Sequence, residues 1–466
     1  MRDFLPADVR RREYVINRIR EVYERYGFEP LETPAVENIE TLLGKYGEEG
    51  NQLIFKILKR GAHEGTGEAD LALRYDLTVP LARVVAEYRA SLPKFFKRYQ
   101  IQPVWRADRP ARGRFREFYQ CDVDALGSRS MVVEAELCAA AFDALLSLGF
   151  NNFTIRLNHR QVLAGVLDAA GIAAEGHNDA LVALDKLDKI GRAGVAKELS
   201  ERGLGAEAGE RLLSFFESLA ALEHAAEITA DEITTTPAAL NAAVLGRLVE
   251  FVGDHEAGAR GIDELRAVVQ FTEAAGAGAR LRIDPSLARG LSYYTGAIME
   301  INVPDLAGSL GGGGRYDNLV GMFLGKETDS RGFSFTKGVP ACGFSLGLER
   351  IIVVMTERGM FPDALTAAGS ADVMVTIWDE DAVEDSLRLA RELRAAGLRV
   401  DVYPEADKLG KQLKYASAQK NRFVVVMGAE ERERGTVALK DMTSGNQEAI
   451  ARARLAEVVR GKLGGR

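Results

Sequence analysis

The sequence VWRADRPARGRFREFYQCDVD occupies residues 104–124. The pattern of residues in and before this stretch predicts a strand over 94–106 and a returning strand from Phe118 to Val123. Arginine, glycine and proline dominate residues 107–116 between them, which is typical of a loop. The two strands and the loop together predict a long β-hairpin.

The predicted hairpin is strongly basic around its loop. The segment Lys94–Arg116 contains eight basic residues, and Asp108 is its only acid. An arginine-rich loop can simply be a solvated surface, but such surfaces usually mix charges of both signs. The single sign therefore favours an anion-binding site. The net charge of −8 does not exclude a polyanionic partner, since such binding depends on local patches.

Sequence on both sides of the hairpin alternates between helix and strand patterns. Apolar residues three to four positions apart predict an amphipathic helix from Val9 to Tyr26, and an apolar helix is predicted from Met131 to Leu148. Strand patterns follow at 153–157 and 281–303, and residues 341–355 predict a strand that turns into a helix. The segment PLETPAVE, 30–37, contains two prolines, which favours an extended edge or interface segment.

Two further regions differ in composition. Residues 161–278 are rich in Ala, Leu, Glu and Gly with helical periodicity, which predicts a helical insertion. Beyond a Pro-, Gly- and Ser-containing stretch near residue 365, strands and helices alternate, which predicts a compact α/β domain over 371–466. Strands are predicted at 372–378, 398–404, 422–428 and 435–442, and helices at 381–396, 408–420 and 446–463.

The overall composition indicates a folded protein. The chain has 466 residues, of which 47% are hydrophobic and 27% charged. No apolar run approaches the roughly 18 residues of a membrane span, so an integral membrane protein is not expected. The opening MRDFLPADVRRREY does not resemble a secretory signal. The three cysteines Cys121, Cys138 and Cys342 are far apart, which argues against a disulfide scaffold and predicts a cytoplasmic protein.

Several common motifs are absent. GMFLGKE at 321–327 lacks the spacing and hydroxyl residue of a phosphate-binding P-loop, and Gly311–Gly314 does not form a dinucleotide fingerprint. The five histidines have no metal-ligand spacing, so no metal site built from protein side chains is predicted. No GxSxG nucleophile motif is present either.

Four ordered stretches carry the functional prediction: LRYDLTVP at 73–80, the 104–124 stretch, LARGLSYYTG at 287–296 and GFSLGLER at 343–350. Each alone is compatible with an ordinary surface or core segment. Together, and in this order, they resemble the histidyl-tRNA synthetases, which are class II aminoacyl-tRNA synthetases. The 104–124 stretch is similar to motif 2 and residues 343–350 to motif 3, while LARGLSYYTG and GGRYD are similar to histidine-specific elements.

The resemblance implies an α+β catalytic domain with an antiparallel sheet over 1–160 and 279–365. A helical insertion at 161–278 would brace the tRNA acceptor arm, and an anticodon-binding α/β domain would span 371–466. The implied reaction joins histidine to ATP, with Mg²⁺ as cofactor, and then transfers histidine to tRNA(His). The resemblance to motif 1 also implies a homodimer.

The family pattern assigns roles to individual residues. Catalytic roles fall on Arg289, Arg106 and Arg350. ATP binding is implied for Arg106, Asp108, Arg114, Arg116, Glu117, Gly343 and Arg350. Histidine binding is implied for Asp76, Leu77, Thr78, Gln120, Asp124, Arg289, Tyr293, Tyr294 and Tyr316. Arginine suits this chemistry because its charge is permanent and its planar fork matches phosphate oxygens.

The sequence departs from the family pattern at a few positions. Ser292 replaces an aspartate found in most relatives, Asn318 replaces a common glycine, and the motif 2 loop is short. The family prefix before RDFLP is nearly absent, so the start is expected to lie a few residues late.

Two alternatives follow from the same residues. A regulatory paralogue would bind histidine without charging tRNA, but such proteins typically lack the anticodon domain and the arginine at position 289. A class II enzyme for glycine, threonine or proline would share the anticodon domain. LARGLSYYTG and Asp124 argue against that second alternative.

Overall fold

The computed structural model describes residues 1–63, 65–184, 186–228, 236–288, 293–324, 327–328, 334–335, 338–362, 365, 369 and 371–464. The chain forms two compact units, Met1–Met360 and Phe361–Arg466. No described helix has both the length and the apolar character needed to cross a membrane.

An eight-stranded sheet is the centre of the first unit. Its spatial order is β1 (Glu29–Pro30), β5 (Phe96–Trp105), β6 (Glu117–Leu126), β13 (Ala341–Gly347), β10 (Ser309–Arg315), β9 (Ala297–Asn302), β7 (Thr154–His159) and β8 (Leu281–Ile283). Within the six strands from β5 to β7, every adjacent pair is antiparallel. The outer strands β1 and β8 are parallel to theirs. Smaller sheets contain β2 (Val36–Asn38), β3 (Lys56–Leu58) and β4 (Ala69–Leu73), and β11 (Glu327–Thr328) and β12 (Ser334–Phe335).

Helices of the first unit surround this sheet. They are α1 (Pro6–Arg25), α2 (Ile39–Leu42), α3 (Gly47–Gln52), α4 (Thr78–Glu87), α5 (Val132–Ser147), α6 (Arg160–Ala170), α7 (His177–Leu184), α8 (Leu187–Glu201), α9 (Ala206–Ile228), α10 (Pro237–Val252), α11 (Glu256–Ala274), α12 (Gly321–Leu324) and α13 (Leu348–Glu357). Buried apolar residues of α1 recur at Val15, Ile19 and Val22, which is the helical spacing that the sequence predicts.

The predicted hairpin is confirmed. Strands β5 and β6 pair along their whole length, from Phe96 with Leu126 to Trp105 with Glu117. The prediction of a strand followed by a helix over 341–355 is also confirmed by β13 and α13.

The helices α6 to α11 fill most of the segment predicted to be a helical insertion. They are tied to the sheet by buried polar contacts. The Asn241 amide donates to the Leu281 carbonyl at 3.0 Å and its oxygen accepts from the Ile283 N–H at 2.8 Å. His159, at the end of β7, contacts Glu264 of α11 at 2.8 Å. These helices therefore belong to the same compact unit as the sheet.

The second unit is a five-stranded sheet with helices. Its order is β15 (Val400–Val402), β14 (Val373–Val375), β16 (Phe423–Val426), β17 (Thr436–Asp441) and β18 (Gln447–Ala451). The first three strands are parallel, and the last two are antiparallel to their neighbours. The helices are α14 (Val383–Ala395), α15 (Leu409–Ala418), α16 (Ala429–Arg434) and α17 (Leu455–Gly464).

The prediction of one helix over 446–463 is wrong in its first part. Residues 447–451 form β18 instead, and the α-helix begins at Leu455. Ile450 pairs with Val437 and is buried in the core of this unit. The connecting turn is stabilised by the Asp441 carboxylate, which accepts the Thr443 N–H at 2.8 Å. The tertiary contact of Ile450 and the hairpin turn outweigh the helix propensity of residues 447–451.

A buried ion pair links α5 to β10. The Arg315 guanidinium donates to both oxygens of Glu134, at 2.6 and 2.8 Å, and the two side chains are 4% and 0% exposed. Glu136, two residues further along α5, pairs with Lys97 instead and its side chain is 42% exposed.

We predict that Glu134→Gln lowers the free energy of unfolding by about 3 kcal/mol, because it leaves a buried guanidinium short of its counter-charge. The matched change Glu136→Gln should cost less than about 1 kcal/mol, since its ion pair is exposed to water. Urea unfolding of the two variants measures the difference. Equal unfolding midpoints would contradict the role given to the buried pair.

Candidate active site

A cavity of about 250 Å³ lies over the central strands of the large sheet. Most of the predicted site residues line it: Asp76, Thr78, Arg106, Asp108, Arg114, Gln120, Asp124, Tyr293, Tyr294, Tyr316, Gly343 and Arg350. These residues come from distant parts of the sequence. The fold therefore brings together what the motifs predicted separately.

Three predicted residues lie in the described part of the chain but do not line this cavity. Leu77 is fully buried in the core, and its carbonyl accepts a hydrogen bond from Arg98 at 3.3 Å. Glu117 lies at the start of β6, opposite Trp105. The exposed Arg116 donates to the Asp108 carbonyl at 3.2 Å. Arg289 lies outside the described residues.

Strand alternation produces the polar floor of the cavity. Residues two apart on a strand share a face, so Gln120, Asp122 and Asp124 of β6 all point the same way. The residues between them face the opposite side, where Cys121 and Val123 are fully buried. One face of β6 therefore packs into the core while the other forms the floor of the cavity.

Arg106 follows the end of β5, where the hairpin loop begins. Its Nε donates to the Tyr75 carbonyl at 3.1 Å. Its guanidinium lies 4.2 Å from the centre of the Tyr75 ring and 5.2 Å from that of Phe118. The carbonyl and the two rings fix the plane of the guanidinium. The side chain is thus held in one orientation at the cavity wall.

Arg350 lies in the first turn of α13 and contacts the hairpin loop. Its Nε donates to the Gly113 carbonyl at 3.3 Å, and its Nη1 donates to the Ser309 carbonyl. Gly113 has a φ of +69°, a conformation that favours glycine, and a Cβ there would lie 3.2 Å from Arg350 Cγ. The 104–124 and 343–350 stretches therefore meet at this wall of the cavity.

The basic segment 94–116 divides into groups with different environments. Arg98 is fully buried, and Lys97 pairs with Glu136. Arg106 and Arg114 line the cavity. Arg112 forms a partly exposed ion pair with Glu357. Of the eight basic residues in this segment, only Arg106 and Arg114 are among the described residues that line the cavity.

Asp76 lies between β4 and α4 and is 1% exposed. Its carboxylate accepts hydrogen bonds from the Tyr46 hydroxyl at 2.9 Å, the Tyr293 hydroxyl at 3.1 Å and the Val79 N–H at 3.0 Å. Burial raises the pKa of Asp76, while these donors and the Arg106 guanidinium oppose the increase. The three hydrogen bonds hold the carboxylate in one orientation.

Asp124 is equally buried and is held by two partners. The Tyr316 hydroxyl donates to its Oδ1 at 2.5 Å, and Arg98 Nη2 lies 2.9 Å from its Oδ2. Burial raises the pKa of Asp124, and the Arg98 guanidinium opposes this. Gly343 is opposite Asp124 on β13, and a Cβ there would lie 1.8 Å from Oδ1.

A glycine is required at position 343 for a structural reason. The glycine makes room for the Asp124 carboxylate. The glycine run in β10 is similar: a Cβ at Gly313 would lie 2.1 Å from the Gly343 carbonyl oxygen. Gly311 and Gly312 nevertheless line the cavity.

Several cavity residues were missed by the sequence analysis. Asp122 and Ser345 are among them, together with Glu349, which accepts from Arg12 at 2.7 Å and from the Tyr119 N–H at 2.9 Å. Alternation along REFYQCDVD could have placed Asp122 beside Asp124. Ser345 could not be found in this way, because its position depends on the pairing of β6 with β13. Within the described residues no group of three or more His, Cys, Asp or Glu side chains could hold a metal ion.

Comparison with known proteins identifies the family of this chain. The family model "Histidyl-tRNA synthetase" matches residues 1–351, and the model "Anticodon binding domain" matches residues 372–462. Histidine–tRNA ligase of Gloeobacter violaceus is 42% identical over 99% of this chain and 97% of that protein. The Porphyromonas gingivalis protein of the same name is 42% identical over 97% and 95%, respectively.

A solved structure extends the likeness to the fold. The crystal structure of histidyl-tRNA synthetase from Nostoc sp. PCC 7120 has a TM-score of 0.77 and 32% identity, and it covers 99% of this chain and 97% of that one. Because a family model covers most of the sequence and relatives match it from end to end, the chain belongs to the histidyl-tRNA synthetase family.

Proposed function

We propose that the chain activates L-histidine with ATP to form histidyl-adenylate and then transfers histidine to the 3′ end of tRNA(His). The observation that carries this proposal is the meeting of Arg106, Arg350 and the buried carboxylates Asp76 and Asp124 around one cavity. The reaction requires cations for phosphate and anions for an ammonium group, and this cavity contains both.

Activation begins when a carboxylate oxygen of histidine attacks the α-phosphorus of ATP. A new phosphorus–oxygen bond forms, and the bond to pyrophosphate breaks. Two anions must approach each other, and the negative charge that develops around the α-phosphorus must be stabilised. Arg106 would contact the α-phosphate, and Arg350 would hold the ATP tail and cover the adenine. The preorganised contacts of Arg106 with Tyr75 support this role, since little reorganisation would be required.

Arg289 is the third proposed catalytic arginine. By its place in LARGLSYYTG it would bridge the histidine carboxylate and the α-phosphate. Its neighbours in sequence support the assignment: Tyr293 and Tyr294, four and five residues later, line the cavity. A cation at this position would neutralise the charges of the carboxylate and the α-phosphate, for which other class II enzymes use a metal-assisted contact.

The remaining ATP contacts are assigned by family position. Asp108 and Glu117 would lie near ATP, while Arg114 and Arg116 would contact the phosphates or the tRNA acceptor end. Gly343 would border the nucleotide. Asp108 and Arg114 both line the cavity, with Arg114 Nη1 4.0 Å from Asp108 Oδ1. Arg114 is about half exposed, which leaves it accessible to a polyanion.

Histidine recognition would use the opposite charge. Asp76 would bind the ammonium group, together with Thr78 and the Leu77 segment. Asp124, Gln120 and Tyr294 would contact the imidazole, with Tyr293 and Tyr316 shaping the pocket. A wrong ligand would leave these buried polar groups unpaired, so discrimination on the order of 10⁴-fold is attainable without an editing site.

Mg²⁺ is proposed to enter the site bound to ATP. The ion would supply positive charge that neutralises part of the charge of the phosphates. Glu349, a carboxylate at the cavity, already accepts hydrogen bonds on both oxygens. Its occupied oxygens support a metal held mainly by the nucleotide and water.

The alternative is a regulatory paralogue that binds histidine without charging tRNA. The sequence match to an anticodon-binding domain over 372–462 weighs against it, because a regulator has no use for that module. We also propose a homodimer and a cytoplasmic location, on the basis of motif 1 and the scattered cysteines. The division into a catalytic domain (1–160 and 279–365), a helical insertion (161–278) and an anticodon-binding domain (371–466) is part of the same proposal.

Charging of transcribed tRNA(His) with labelled histidine tests the function directly. We expect ATP-dependent accumulation of histidyl-tRNA and no charging of a tRNA(Phe) transcript. Parallel transcripts with and without the extra 5′ guanosine would show whether the short loop at 107–116 reads that nucleotide. Tight histidine binding with no acylation of any tRNA would instead favour the regulatory alternative.

Arg106→Lys tests the proposed catalytic role of the guanidinium. Lysine keeps the charge but lacks the planar fork and the stacking on Tyr75, so kcat/KM for ATP in pyrophosphate exchange should fall about 100-fold. Arg112→Lys is the matched control, because Arg112 pairs with Glu357 outside the cavity and should leave exchange nearly unchanged. An Arg106→Lys enzyme with near-normal exchange would contradict the role.

A further inference from the structure

Asp122 occupies the middle of the cavity floor and has no role in the account above. It lies between Gln120 and Asp124 on β6 and is 2% exposed. Its register partners are Gln100 on β5 and Ser345 on β13. The face of the sheet that holds the predicted imidazole contacts therefore contains a second aspartate.

The floor has free hydrogen-bonding capacity. Among the described residues, neither Asp122 Oδ1 nor Gln120 Oε1 has a hydrogen-bond partner, although both atoms are buried. Buried polar atoms rarely lack a partner in folded proteins. Both residues line the cavity. A ligand with polar atoms at this depth would satisfy them.

The charges on the floor do not balance if both aspartates are ionised. Arg98 Nη2 lies 2.9 Å from Asp124 Oδ2 and 3.9 Å from Asp122 Oδ2, so one guanidinium faces two carboxylates. All three side chains are almost completely buried. An uncompensated buried negative charge is costly, and the addition of one proton removes it.

Burial raises the pKa of Asp122 to about 7, and the Asp124 and Asp76 carboxylates act in the same direction. The Arg98 guanidinium and the Ser345 hydroxyl oppose the increase. Further titratable or charged groups that interact electrostatically with this carboxylate are Cys121 beside it on β6, Tyr23 of α1, Arg74 before α4, and Tyr294.

We propose that Asp122 is a further specificity-determining residue for histidine, and that its free carboxyl oxygen forms a hydrogen bond with an imidazole nitrogen in which the two groups share a single proton. The inference rests on the proposed function, which supplies the imidazole. Either the protonated carboxyl donates to the ring nitrogen or the protonated ring donates to the carboxylate.

Imidazole is well suited to such a floor. Its unperturbed pKa of about 6.5 is the only one among side chains that lies close to neutrality. In either arrangement the ring and the floor, taken together, carry no excess charge. An amide or aliphatic side chain cannot exchange a proton with Asp122 in this way. Asp122 would thus select the substrate by its ability to share a proton, in addition to the selection by the shape of the pocket.

The sharing of one proton sets the pH dependence of binding. Above the pKa values of Asp122 and free imidazole, neither partner carries the proton, so histidine binding must take one up. Well above pH 7, 1/KM for histidine should therefore fall about tenfold per pH unit. Below both pKa values, free protein and ligand together hold two protons, and binding must release one.

Asp122→Asn tests the proposal, since asparagine keeps the shape but cannot titrate. The assay is histidine-dependent pyrophosphate exchange at several pH values, with KM for histidine, KM for ATP and kcat determined separately. We expect KM for histidine to rise about 10- to 100-fold, as for loss of a hydrogen bond to a charged group, with KM for ATP unchanged. The alkaline fall in 1/KM should disappear.

Asp143→Asn is the matched control. Asp143 lies on α5, outside the cavity, and accepts a hydrogen bond from the Tyr26 hydroxyl at 2.9 Å. This variant should keep the wild-type KM values and pH profile. An Asp122→Asn enzyme with the same KM for histidine and the same alkaline slope as wild type would overturn the proposal.

A second measurement needs no variant. Calorimetric titration of the full chain with histidine at pH 8, in buffers of different ionisation enthalpy, counts the protons taken up. Uptake close to one proton supports the shared proton, and zero uptake excludes it even if the asparagine variant does not fold. If the wild-type chain supports no histidine-dependent exchange, the proposed function itself is contradicted. Normal exchange without proton uptake contradicts only the role proposed for Asp122.

Discussion

The ion pair between Arg98 and Asp124, buried in the centre of the large sheet, is the interaction on which the candidate site depends. The antiparallel register of β5 and β6 places the two residues opposite each other. Without the guanidinium, the carboxylates on the cavity floor would be buried with no counter-charge at all. Gly343 completes the arrangement, since any side chain on that strand position would occupy the space of the Asp124 carboxylate.

The cavity built on this floor carries charges of both signs. Arg106, Arg114 and Arg350 belong to the hairpin loop and the start of α13, while Asp76 and Asp124 are held among tyrosine hydroxyls. Binding of an amino acid and a nucleotide requires side chains of both signs, because the amino acid has a cationic ammonium group and the nucleotide has a polyanionic phosphate chain. Tight packing around Arg106 and Arg350 fixes where the positive charge is available before either substrate binds.

Local sequence patterns were sufficient for most of the helices and strands, and the family resemblance supplied half of the residues that line the cavity. The basic loop between two strand patterns predicted the β5–β6 hairpin, and the ordered motifs pointed to residues that converge in space. The remaining features depend on which residues pair across neighbouring strands, and this pairing is known only from the three-dimensional structure. The basic patch could not be divided by sequence alone, because only the pairing with β6 shows that Arg98 is neutralised inside the sheet while Arg106 lines the cavity. Likewise, Ile450 favours a strand because of a partner, Val437, thirteen residues away.

The most direct test of the account is histidine specificity in ATP–pyrophosphate exchange, measured with each of the twenty amino acids in turn. The account predicts ATP-dependent exchange with histidine and at least about 10⁴-fold lower kcat/KM with every other amino acid. Exchange with glycine, threonine or proline in place of histidine would contradict it, because the carboxylates on the floor of this cavity would then have no substrate atoms to bind.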